Sequence, residues 1–241
     1  MIVAIHQPHY LPWLRYIHKV ASCDVFVVLD DVQYTKNGWQ NRNRIKGPNG
    51  PFLLTVPVRD ATFRPITEVE VDPQISWRQK HWKSMLLSYA KAPYFPRWRD
   101  AFEEIYTTEW TSLASLNLRV LEALIRAFGI QTRLVRSSEI GAAGQATERL
   151  INLCRRLGAT QYLTGAFAAE NHMDAAAFEG SGIGLRVQAW ECPRYQQQFT
   201  GQGFSPELSA VDLLFNEGPR SLALLLGEAR LPVRALAVSV H

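Results

Sequence analysis

Short, fully apolar runs alternate along this chain with longer stretches of helical spacing. Ile2–Ile5 is a β-branched apolar run broken by His6-Gln7-Pro8-His9, and Val25–Leu29 is a second, closed by Asp30-Asp31. Between them, Trp13, Leu14, Ile17 and Val20 fall on one face of a helix that Pro12 can open. Strand, helix and strand in quick succession predict a βαβ unit, and strands apolar on both faces predict a parallel sheet.

The segment from Gln33 to Asn43 is polar and aromatic without clear periodicity. Arg44–Lys46, the turn residues Gly47 to Pro51, and Phe52–Val58 then predict a β-hairpin with a long turn. Ile66–Val71 alternates as a strand would. Helices are predicted over Ser76–Ala90, with Ser76 as N-cap, over Tyr94–Tyr106, and over Thr111–Phe128, ended by Gly129. The βα rhythm resumes with a strand at Thr132–Arg136, a helix at Thr147–Leu157 and a strand at Gln161–Thr164. A polar, alanine-rich turn of chain follows, then a strand at Ile183–Trp190 and helices at Ser209–Phe215 and Arg220–Leu226. The pattern predicts one α/β domain over 1–241, a three-layer fold whose sheet is mainly parallel, with a mainly helical insertion at about 75–130.

Composition narrows the class. A chain of 241 residues needs no disulfide or metal to hold a core. With 47% hydrophobic and 20% charged residues it is neither disordered, collagen-like nor coiled coil. Its apolar runs fall far short of the ~18 residues of a membrane span, so no membrane association is expected. MIVAIHQPHY has no basic region before an apolar stretch, unlike a secretory signal. Cys23, Cys154 and Cys192 are isolated and odd in number, the pattern of reduced thiols in a cytoplasmic protein. Nothing in the pattern fixes an oligomeric state.

Charge adds one local feature. Lys+Arg 26 against Asp+Glu 22 gives +4, yet KNGWQNRNRIK, from Lys36 to Lys46, holds four cations and no anion. Such a patch attracts phosphates. The overall excess is small for a dedicated nucleic-acid binder and fits a small anionic ligand better.

Three places could carry chemistry. The first is HQPHY, where the first strand ends and where open parallel sheets place their ligand crevice. His6 and His9 bracket a proline and could donate to phosphate oxygens or act as acid and base; the plainer alternative is that one of them caps the following helix. Gln7 and Tyr10 belong to the same turn. Neither a dinucleotide fingerprint nor a P-loop is present. Zinc could be imagined on His6, His9 and His172, but neither HExxH nor a cysteine pair supports it, so no metal site is assigned.

The second place is Asp30-Asp31 and the loop beyond. Asp31 could hold Mg²⁺ or a ribose hydroxyl; Asn37 and Asn41 supply neutral donors and acceptors; Arg42, Arg44 and Lys46 supply cations. Tyr34 and Trp39 offer faces for stacking a base or sugar. A solvated loop with outward charges would explain about half of these residues. The third place is CPRYQQQFTGQGF, where Tyr195 and Gln198 lie in an irregular segment with no packing reason to be polar.

At these places the sequence resembles the WbqC-like family, found among bacterial polysaccharide and secondary-metabolite biosynthesis proteins. The resemblance rests on AIHQPHYLPWLRYIHKV, on VFVVLDDVQYTKNGWQNRNRIK with the following PNG and LLTVPV, on YLTG, and on PRYQQQF with FSPELSAVDLLFNEG. It implies modification of sugars or metabolites by acyl, amide or aminoacyl transfer. Arg15 stands where the family typically has glycine, and Asn171-His172-Met173 replaces a usual Tyr-Leu. The strand, H-x-x-H turn and helix are also similar, at the level of fold, to nucleotidyltransferase-like and Rossmann-like proteins, although there the histidines begin the helix further on.

Together these readings lead to a biosynthetic enzyme, a nucleotide-dependent ligase or transferase forming an amide or ester bond, with ATP and Mg²⁺ as its expected cofactors. His6, His9 and Asp31 would be catalytic, and the remaining loop residues would bind a small-molecule substrate and a nucleoside phosphate. The alternatives are an ATP-independent transferase using aminoacyl-tRNA or acyl-CoA, which makes tRNA a partner, and a non-catalytic sugar-nucleotide or RNA binder.

Overall fold

A computed structural model describes residues 1–171 and 173–228. The chain opens with β1 (Ile2–His6), α1 (Leu14–Ala21) and β2 (Val25–Val28), and the two strands pair in parallel, Val3 with Val25 through His6 with Val28. Next come β3 (Arg42–Gly47) and β4 (Gly50–Thr55), then β5 (Val58–Arg59) and β6 (Glu70–Val71), two small antiparallel pairs. Helices α2 (Trp77–Tyr89), α3 (Phe95–Thr107) and α4 (Leu113–Phe128) follow. The second half contains β7 (Arg133–Arg136), α5 (Ser137–Ile140), α6 (Ala146–Arg156), β8 (Gln161–Gly165), α7 (Ala166–Asn171), α8 (Ala175–Ser181) and β9 (Gly184–Gln188). It closes with α9 (Ala210–Glu217) and α10 (Ser221–Leu225).

Five parallel strands form the central sheet in the order β7-β2-β1-β8-β9. Alternation along β1 explains its two layers of packing. Val3 and Ile5 join Val25, Val27, Tyr162 and residues of α6 and α8 on one face; Ala4 joins Phe26, Leu163 and residues of α1, α4 and α9 on the other. This is the three-layer, Rossmann-like α/β arrangement that the doubly apolar strands predict.

The departures are local and have identifiable causes. The insertion between β2 and β7 begins well before residue 75, because the β3–β4 hairpin and the β5–β6 pair belong to it. That hairpin turns on Pro48-Asn49 alone, between the paired Gly47 and Gly50, so its turn is short. Ile66–Glu68 is a 3₁₀ turn instead of a strand, because the amides of Ile66 and Thr67 donate to the carbonyls of Val32 and Asp30 in the loop after β2. Ser76 precedes α2 without a side-chain capping bond, whereas the Ser112 hydroxyl accepts from the Ser115 amide and Gly129 closes α4 in the left-handed region. The alanine-rich turn forms α7 and α8.

Backbone bonds tie two distant segments to the first βα turn and to each other. The amide of Tyr10 donates to Trp39 O, that of Leu14 to Leu208 O, and that of Ser209 to Arg44 O. Among the described residues, no helix is long and apolar enough to cross a membrane.

Candidate functional site at the sheet switch point

From β1 the chain passes through α1 to β2 on one side of the sheet, and from β8 through α7 and α8 to β9 on the other. The strand order therefore reverses between β1 and β8, and a crevice must open beyond their carboxyl ends. A cavity of about 510 Å³ lies there. His6 ends β1, Thr164 and Gly165 end β8, Gln188 ends β9, Tyr16 and Lys19 reach in from α1, and Trp39 enters from the loop before β3.

The two imidazoles touch, edge to face, with ring centroids 4.7 Å apart. His6 Nδ1 donates to the Gln7 carbonyl at 3.0 Å, which leaves Nε2 as the basic nitrogen of the neutral ring. His9 packs between Trp13 and Tyr16, and its buried Nδ1 has no hydrogen-bond partner among the described residues. Burial, with the Lys19 charge as a second cause, pushes His6 well below the ordinary histidine value and His9 down to about 3. Both rings are therefore neutral near pH 7.

Lys19 is the residue that sequence reasoning missed. Its side chain is 7% exposed, lines the cavity, and makes no hydrogen bond or ion pair among the described residues. Gly165 lies against the ammonium: a Cβ built there would stand in van der Waals contact with Lys19 Nζ, 3.4 Å away. Burial lowers Lys19 to about 8, and the Arg15 charge adds to the effect. The signal was present in the heptad spacing: Tyr16, Lys19, Val20 and Cys23 share one buried stripe, on which a lysine is out of place. Arg15 stands at the cavity wall, paired with Glu207 at 2.8 Å and lying over the Trp190 ring. No carboxylate belongs to the described lining.

Of the expected site residues, the structure brings His6, His9 and Trp39 together here. Gln7 supports them from outside: its side-chain oxygen accepts from Gln40 Nε2 at 2.6 Å and its carbonyl from the Tyr16 hydroxyl. Tyr10 is fully buried, its hydroxyl bonded to His81 Nδ1 and to the Tyr106 hydroxyl, each at 2.9 Å. Asp31 bonds Ser137 Oγ and the Arg149 guanidinium and does not line the cavity. Asp30 beside it accepts from Arg136 Nε at 2.7 Å and from the Ser137 and Ser138 hydroxyls. Tyr34 is buried in the insertion; Asn37 accepts from Arg42; Asn41 Nδ2 donates to Val56 O; and the Arg44 carbonyl receives the Ser209 amide. Lys46 and Tyr195 line a different cavity, and Gln198 a third. Asp31, Arg42, Arg44 and Lys46 thus do not line the cavity that holds His6, His9 and Trp39. His172, the third zinc candidate, lies outside the described residues.

The geometry defines a Rossmann-like α/β protein with a cation-bearing cavity at its switch point. The chain matches the model of the WbqC-like protein family over residues 7–224 and belongs to that family. It is similar to the uncharacterized protein Rv1507c of Mycobacterium tuberculosis, 38% identical over 219 residues that cover 90% of this chain and 94% of that protein. No solved structure matches it.

Proposed function

We propose that the protein is a biosynthetic transferase or ligase that forms an amide or ester bond on a small molecule anchored by an anionic group in the switch-point cavity. The observation that supports this reading is the meeting of a buried ammonium without a counter-ion among the described residues and a neutral imidazole whose basic nitrogen is defined. As an amine or hydroxyl of the acceptor attacks the acyl carbon of the donor, its proton passes to His6 Nε2. The proton then goes to the leaving group as the tetrahedral species collapses. The Lys19 ammonium opposes the negative charge on the acyl oxygen or on the donor's phosphate, in a cavity where water competes weakly. Trp13 and Trp39, packed edge to face at 4.8 Å, form an apolar wall against which a base or sugar can rest.

ATP with Mg²⁺ would serve a ligase that activates its own acid; aminoacyl-tRNA or acyl-CoA would serve a transferase that receives a ready donor. The engagement of Asp30 and Asp31 with arginines favours the second, because a cavity lined by imidazole, indole, amide and ammonium groups does not suit Mg²⁺. The test is a thermal-shift screen over ATP, sugar nucleotides, acyl-CoA and aminoacyl-tRNA, followed by turnover with labelled donors. Transfer without ATP consumption is expected, with kcat reduced about 10²–10⁴-fold in His6→Ala. ATP-dependent release of AMP or ADP would return the ligase form, and no transfer from any donor would remove the reading.

A further inference from the structure

Four rings lining the switch-point cavity stand in an unbroken row. His6 meets His9 at a centroid distance of 4.7 Å, His9 meets Trp13 at 5.4 Å, and Trp13 meets Trp39 at 4.8 Å. The row begins at the end of β1 and reaches the loop before β3. Successive ring planes are turned by 84°, 83° and 66°. A flat base or sugar can therefore lie on only one of these rings at a time, whereas a flexible hydrocarbon chain can follow them all. Ile5, Ala166 and Ala168 add further apolar lining, and Phe167 of α7, 70% exposed, stands at the rim.

Polar groups are distributed unevenly along this row. Three nitrogens without a hydrogen-bond partner among the described residues gather at its strand end: His6 Nε2, His9 Nδ1 and the Lys19 ammonium. Other polar side chains of the lining spend their donors on the protein itself. The Tyr16 hydroxyl donates to Gln7 O at 3.2 Å, the Thr164 hydroxyl to Gly165 O at 3.4 Å, and Gln188 Nε2 to Arg15 O at 3.0 Å. Further along, the rings bring indole N–H donors but no carboxylate to accept from a hydroxyl. The hydroxyls of a sugar laid along this wall would lose water without gaining partners, which is costly. One charged end fixed by a few converging groups, with apolar rings around the rest, suits an amphipathic anion.

We infer that the cavity takes a carboxylate or acyl group with a hydrocarbon body, its oxygens facing Lys19 and the imidazoles and its chain lying along Trp13 and Trp39. The inference rests on the switch-point cavity being the ligand site, as proposed above, and names the acyl component as the part that meets the indole wall.

The experiment is calorimetric titration of the full chain with hexanoate, octanoate and decanoate, and with glucuronate, which carries the same charge on a hydroxyl-rich ring. Affinity is expected to rise by up to about four-fold per added methylene, the gain from burying each one, with octanoate at least ten-fold tighter than glucuronate. Lys19→Met should weaken all three chains by a similar factor. Trp39→Ala should flatten the rise with length while changing hexanoate least. Phe167→Ser, at an exposed position, should reduce the same rise and decides the matter if Trp39→Ala does not fold. Glucuronate binding as tightly as octanoate, affinity independent of length, a rise that survives Trp39→Ala, or a series untouched by Lys19→Met overturns the inference. The transfer reaction fails separately: a length-dependent series without transfer from any donor would remove the reaction and keep this ligand class. Transfer with a flat series would do the reverse.

Discussion

Two clusters of charged and polar side chains sit beyond the carboxyl ends of the same parallel sheet, with opposite internal balance. Beyond β2, Asp30 and Asp31 are met by Arg136, Arg149 and the Ser137 and Ser138 hydroxyls, so that both carboxylates are paired within the protein, with Arg149 Nε left unpartnered among the described residues. Beyond β1 and β8, among the described residues, Lys19 has no counter-ion and His9 has a buried nitrogen without a partner, and both imidazoles are kept neutral by burial. A sheet edge alone therefore does not mark a site. What separates the two is whether the protein completes its own polar groups or leaves them for something else to complete.

The comparison predicts opposite responses to mutation. Asp30→Ala removes a carboxylate that is 1% exposed and strands its partners, and should lower unfolding free energy by about 3–5 kcal/mol in urea titrations. Lys19→Met should raise it. The lysine value falls from 10.5 to about 8 on folding, so its burial costs about 3 kcal/mol at neutral pH, a penalty that fades as pH rises from about 8 to 10.5. A Lys19→Met variant no more stable than wild type would mean that the ammonium is compensated internally after all, and the contrast would be lost.

Protonation gives the next effect. Histidines held neutral in the folded chain bind protons more readily when it unfolds, so stability is full above pH 6.5 and falls as pH drops below it. Each of His6 and His9 should withdraw about 1.4 kcal/mol per pH unit below 6.5, continuing for His9 toward pH 3. Melting temperature against pH would show this, with a flatter curve for His9→Gln. The smallest effect belongs to Asp31→Asn, about 1 kcal/mol, because that ion pair is partly exposed; a loss as large as that of Asp30→Ala would show Asp31 to be more than an exposed partner.

The parts legible in the sequence were those governed by local pattern. β1, β2 and α1 follow from two doubly apolar runs and one helical stripe, and the position of His6 and His9 at a strand end follows from the break between them. The pairing of Asp30 with Arg136 and of Asp31 with Arg149 was hidden, since it depends on β7 and α6 arriving beside β2 after the whole insertion. Thr164, Gly165 and Gln188 were missed for the same reason: they enter the cavity through strand order, which periodicity does not encode. Lys19 was hidden differently. It violates the helix's apolar stripe, and a pattern reading assigns a lysine to solvent by default.

The most direct test of the account follows the Lys19 ammonium itself. Its titration can be read by NMR in protein labelled at the lysine ε-carbon, with Lys19→Met assigning the signal, first free and then saturated with pyrophosphate. The account predicts a free value near 8 that rises by one unit or more when the anion binds, because a counter-ion beside a buried cation favours its charged form. A free value at the ordinary 10.5, or one that pyrophosphate leaves unmoved, would contradict it.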